Sequence, residues 1–201
     1  MHARAFVPVL AAAALAGSAV AARADLVVNG GFEDGFGFPG WSTVDASSGS
    51  NYFVDFFWPN NGFFHASFGA VVGIPDEIFQ VVPTTAGATY DVEFWVRNNG
   101  IGTDYLQVLW EGTPLLTQQP VTVSPDDAYH PFSFVVTAAN SGSELRFRAF
   151  DSNQYVLIDD VSVTVQAAST PEPGTIALFA LGAAGLGGLA WRRRKARIAA
   201  K

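Results

Sequence analysis

The sequence predicts an all-β fold, an antiparallel sandwich of two sheets. Three observations carry that prediction. Apolar and polar residues alternate with period two through most of residues 25–166, and Gly, Asn, Asp and Pro break the alternation at short intervals. No stretch of this body shows the spacing of an amphipathic helix. Many short strands so punctuated form a jelly roll or related sandwich, each burying one face against the opposite sheet.

Taken in order, the candidate strands are 26–33, 41–46, 52–57, 64–72, 77–82, 89–97, 104–111, 114–118, 130–137, 144–150 and 155–165. Tyr90, Val92, Phe94 and Val96 point one way, and Asp91, Glu93, Trp95 and Arg97 the other. Phe132, Phe134 and Val136 alternate with Ser133, Val135 and Thr137. Leu145, Phe147 and Ala149 alternate with Arg146, Arg148 and Phe150. In the last strand the same rule places Leu157, Asp159, Val161, Val163 and Val165 on the inward face. Asn98-Asn99-Gly100 and Asn140-Ser141-Gly142 read as turns.

Neither end belongs to this body. Residues 1–24 combine a basic start at Arg4, an apolar run from Phe6 to Val20 and small residues before a cut, which is the pattern of a signal peptide. Ala22-Arg23-Ala24 and Ala19-Val20-Ala21 both fit A-x-A cleavage, so the mature chain starts at Ala22 or Asp25. At the other end, 167–174 is a small, polar, proline-bearing linker. Residues 175–191 form an uncharged apolar run, followed by a basic tail over 192–201. At about 1.5 Å per residue the run barely crosses a hydrocarbon layer about 30 Å thick. Arg192, Arg193, Arg194 and Lys195 stop translocation and stay cytoplasmic.

The charge of the body is lopsided. Only Arg97, Arg146 and Arg148 lie in it, against seventeen acids, a formal charge near −14. Such a surface repels nucleic acid and anionic lipid, and it suits solubility or divalent cations. The chain has no cysteine, so an exported body must hold together without disulfides.

The tail resembles the PEP-CTERM sorting signal of Gram-negative bacteria through Pro171-Glu172-Pro173, the short apolar span and the terminal Arg-rich cluster. The resemblance implies recognition by an exosortase in the inner membrane, processing near that tripeptide, and release to the cell surface or extracellular matrix. The body resembles the galactose-binding-like jelly rolls shared by many carbohydrate-binding modules. The matching pieces are Asn29-Gly30-Gly31-Phe32-Glu33 with Trp41, Ile78-Phe79-Gln80-Val81-Val82, Gly87-Ala88-Thr89-Tyr90, Val108-Leu109-Trp110-Glu111-Gly112 and Leu157-Ile158-Asp159-Asp160-Val161.

That second resemblance implies a structural calcium ion held by Glu33, Asp159 and Asp160, where carboxylates and carbonyls supply the six to eight oxygens calcium prefers. The alternative is that backbone N–H groups or an Arg satisfy Asp159 while Asp160 is solvated. Aromatics form the second constellation. Phe56, Phe57 and Trp58 are consecutive, and Phe63 and Phe64 follow the turn Pro59-Asn60-Asn61-Gly62. Phe57, Trp58 and Phe63 are therefore candidate glycan-stacking rings, with core packing as the alternative. No catalytic residue is assigned: His65 and His130 are the body's histidines, and neither Ser67 nor Ser133 sits in a nucleophile elbow. The leading expectation is a non-enzymatic exported protein that associates with extracellular polysaccharide. The alternatives are a structural or protein-binding module and, third, a secreted glycan-active enzyme.

Overall fold

The computed structural model describes residues 23–46, 49–69, 73–98, 103–121 and 128–166, and Gly182. The chain divides into two units, Met1–Val165 and Gln166–Lys201, and of the second only Gln166 and Gly182 are described. Residues 1–22 of the expected signal peptide, the Pro-Glu-Pro tripeptide, the apolar span apart from Gly182, and the basic cluster all lie outside the described residues. Among the described residues no helix is long and apolar enough to cross a membrane.

The first unit is the predicted sandwich, with two antiparallel sheets of five strands. One sheet runs in the order β1 (Ser42–Val44), β4 (Asp76–Pro83), β9 (Gly142–Asp151), β6 (Asp104–Trp110), β7 (Thr113–Gln118). The other runs β2 (Tyr52–Asp55), β3 (His65–Phe68), β10 (Val156–Val165), β5 (Thr89–Asn98), β8 (His130–Thr137). The alternation works as read: Val92, Phe94 and Val96 of β5 meet Leu145, Phe147 and Ala149 of β9 in the core. Phe94 and Phe147 join the sheets edge to face, with centroids 5.2 Å apart.

Residues 26–33 are not the predicted strand. The segment does run beside β10 where β3 ends, with Leu26 N–H donating to Val163 O at 2.9 Å and Val161 N–H to Gly30 O at 3.0 Å. Its own backbone turns, because Asn29 (φ 54°) and Phe32 (φ 59°) adopt left-handed conformations. The turn drives Phe32 into the core, stacked on Trp41 at 5.8 Å. Gly30 is required here, since a Cβ would lie 1.8 Å from Val161 O.

Strand β10 departs from its expected phase. Asp159 pairs with Trp95, but the next register pair is Ser162 with Glu93, so β10 carries one extra residue at a bulge. Asp160 sits there with φ 48°. The bulge changes the phase: Val156, Ile158, Val161 and Val163 face the core, while Leu157 and Asp159 turn to the outer face. Asp159 is fully buried nonetheless, because the loop joining β2 to β3 covers it.

Candidate functional site

The β2–β3 loop carries the candidate rings, and the candidate calcium ligands hold that loop from beneath. Asp159 Oδ2 accepts the Asn60 N–H at 2.8 Å and the Asn61 N–H at 3.3 Å, and its Oδ1 accepts the Asp160 N–H at 2.7 Å. Asp160 Oδ2 accepts from the Asn60 side-chain amide at 2.6 Å. Glu33 Oε1 accepts the N–H groups of both Phe63 and Phe64, at 2.8 and 2.9 Å. Gly62, at φ 65°, passes so close that a Cβ would stand 2.2 Å from Glu33 Oε1. Two constellations that are separate in the sequence are one place in the fold.

Clamped this way, the backbone presents its rings outward. Phe56, Phe57, Trp58 and Phe63 are 54%, 55%, 62% and 75% exposed. Phe56 and Phe57 touch at a centroid distance of 4.3 Å, and Trp58 follows at 6.1 Å. Phe64 is half-buried and packs edge to face on exposed Phe36. Trp58 has a left-handed φ of 63° and lies over the guanidinium of buried Arg97, 5.2 Å away. Sequence reasoning missed Arg97, although its position on the outer face of β5 beside Trp95 was the available signal. Of the other tryptophans, Trp110 is in the core and Trp95 is half-buried on the outer face.

A group of buried titratable residues lies under and beside the loop. Burial pushes the Asp159 carboxyl up to about 7, against the opposing pull of its amide donors. His65 is buried, and desolvation brings its imidazole down to about 4. Its Nε2 lies 3.1 Å from Ser67 Oγ, its Nδ1 has no partner, and Asp55 stands opposite it across the strand pair. Ser67 and His65 are both 1% exposed, so this contact packs beneath the surface rather than opening on a cleft. Tyr129 has a buried, unpartnered hydroxyl whose pKa burial also raises.

As calcium ligands, Glu33, Asp159 and Asp160 would need oxygens converging on one point. Both Asp159 oxygens, Asp160 Oδ2 and Glu33 Oε1 accept from amide donors, and among the described residues no group of three or more His, Cys, Asp or Glu is arranged to hold a metal.

This architecture defines a jelly-roll domain of the class that serves both binding modules and enzymes. TmCBM61, solved with β-1,4-galactotriose, superposes with a TM-score of 0.53 at 16% identity, over 71% of this chain and 99% of that one. A cyclase from Fischerella sp. TAU, solved with 4-(1H-indol-3-yl)butan-2-one, superposes with a TM-score of 0.54 at 15% identity, over 72% and 98%. At such identities the likeness establishes the fold alone. No curated protein matches this sequence. Residues 169–195 match the PEP-CTERM protein-sorting motif. The chain is thus an exported protein with a C-terminal membrane anchor before processing, and the motif implies that an exosortase carries out that processing.

Proposed function

We propose that this is a non-enzymatic protein of the cell surface or extracellular matrix of a Gram-negative bacterium, whose jelly roll binds exopolysaccharide through the β2–β3 loop. One observation carries the reading: Phe56, Phe57, Trp58 and Phe63 are solvent-exposed on a loop whose backbone N–H groups are held by Asp159 and Glu33 and whose Asn60 side chain is held by Asp160. Rings on a pre-formed loop offer broad stacking faces without the entropy cost of ordering a flexible one. A neutral glycan suits a body near −14, which repels polyanions. The galactotriose bound by TmCBM61 is neutral as well, which supports the reading at the level of fold.

Removing one stacking ring costs about 1–2 kcal/mol, roughly tenfold in affinity. Trp58→Ala and Phe57→Ala are compared with wild type for binding purified exopolysaccharide, with circular dichroism to check folding. Folded variants that bind like wild type would leave this patch to a protein partner or a structural role. We propose calcium at Glu33, Asp159 and Asp160 as well, supported by acids from both ends of the body bonding to one loop.

A further inference from the structure

Three core-facing strand positions carry aspartate where the pattern calls for an apolar residue. The alternation that buries Ile78 in β4, Leu106 in β6 and Ala149 in β9 continues, at one end of the sheet, to Asp76, Asp104 and Asp151. They are 0%, 1% and 1% exposed. Strand β9 lies between the other two, and Asp104 is the direct cross-strand partner of Asp151. Side chains so paired leave the sheet on the same face, with Cβ atoms about 5 Å apart.

Loop anchoring accounts for part of this. Asp76 accepts from Ala46 N–H, Ser50 Oγ–H and Asn51 N–H at 2.7, 2.6 and 2.9 Å, and both its oxygens are satisfied. Asp104 accepts the Val121 N–H at 2.9 Å and the side-chain amide of Asn98. Asp151 places Oδ1 against the N–H groups of Asn153 and Gln154, at 2.9 and 3.1 Å. Its Oδ2 is buried with no hydrogen-bond partner. Among the described residues, no Lys, Arg or His forms an ion pair with either Asp104 or Asp151. Two carboxylates at directly paired strand positions, out of water and with no ion-paired cation among the described residues, are an unfavourable arrangement. Anchoring explains neither their juxtaposition nor the orphaned oxygen.

We propose that Asp104 and Asp151 are the side-chain ligands of a hard divalent cation of the calcium class, seated between β6 and β9 at this end of the sheet. The cation neutralises the pair and supplies the partner that Asp151 Oδ2 lacks. Carboxylate oxygens on rigid strands suit calcium, and main-chain carbonyls and water complete its shell, because no third acidic or imidazole side chain joins the cluster among the described residues. This site is distinct from the loop acids Glu33, Asp159 and Asp160, and it does not depend on glycan binding.

The test uses the full chain in mild detergent, stripped by chelation and titrated with calcium chloride, with magnesium and sodium chloride as controls. Bound calcium is counted by equilibrium dialysis and unfolding is followed by heat. A Glu33→Ala, Asp159→Asn double variant retains one calcium ion, with a melting temperature raised by roughly 5–10 °C at a hundredfold excess over the Kd. Asp104→Asn and Asp151→Asn each lose that ion. Retention of the ion by both Asn variants overturns the assignment, and so does a double variant that binds no calcium. If the Asn variants do not fold, dialysis of the double variant decides. Asn variants more stable than wild type, with no dependence on metal, would likewise overturn the assignment.

Discussion

His65 and Asp159 are buried near the same loop, and their ionisation pulls stability in opposite directions over one pH window. The folded state holds His65 at about 4 against an ordinary 6.5, so it binds fewer protons there than the unfolded chain. Its contribution is full above pH 6.5 and is lost as the pH falls towards 4. Asp159 is held at about 7 against 3.8, so the folded state binds more protons. Its contribution is full below pH 3.8 and is lost as the pH rises through 7. At 1.36 kcal/mol per pKa unit the two amount to roughly 3 and 4 kcal/mol, of opposite sign. Wild type therefore hides both. Denaturant unfolding of wild type, Asp159→Asn and His65→Gln, in chelator from pH 8 to pH 4, separates them. From pH 8 to pH 4 the Asp159→Asn protein loses roughly 4 kcal/mol relative to wild type, and His65→Gln gains roughly 3 kcal/mol. Stability differences that stay level across this window in both variants would refute the reasoning, because each group would then titrate alike folded and unfolded.

Three further outcomes are expected. Glu33→Ala frees the Phe63 and Phe64 amides at an exposed position, so it costs only about 1 kcal/mol of stability but weakens exopolysaccharide binding severalfold; unchanged binding would show that the clamp does not position the rings. Gly62→Ala forces a Cβ onto Glu33 at a left-handed φ and destabilises by about 1–2 kcal/mol, checked by melting temperature. Replacing both Pro171 and Pro173 leaves the protein in the inner membrane, and fractionation showing normal surface delivery would dismiss a role for the tripeptide in sorting.

The C-terminal sorting motif was legible along the chain, because its tripeptide, apolar run and basic cluster are local features that stand whatever the body folds into. The sandwich was legible because the pleat ties each residue's face to its parity within a strand: Phe94 and Phe147 reached the core as the alternation required. Parity fails where the backbone leaves the pleat. One extra residue at Asp160 sent Asp159 to the outer face, and left-handed turns at Asn29 and Phe32 dissolved the first expected strand. The candidate acids and rings were each visible, but not their meeting, since the bonds from Asn60 and Asn61 to Asp159 and Asp160 close over about a hundred residues. The opposition of Asp104 and Asp151 likewise exists only in the pairing of β6 with β9. Alternation is a property of one strand and can be read along the chain. Register, bulges and cross-strand neighbours belong to pairs of segments, and only the folded sheet brings those pairs together.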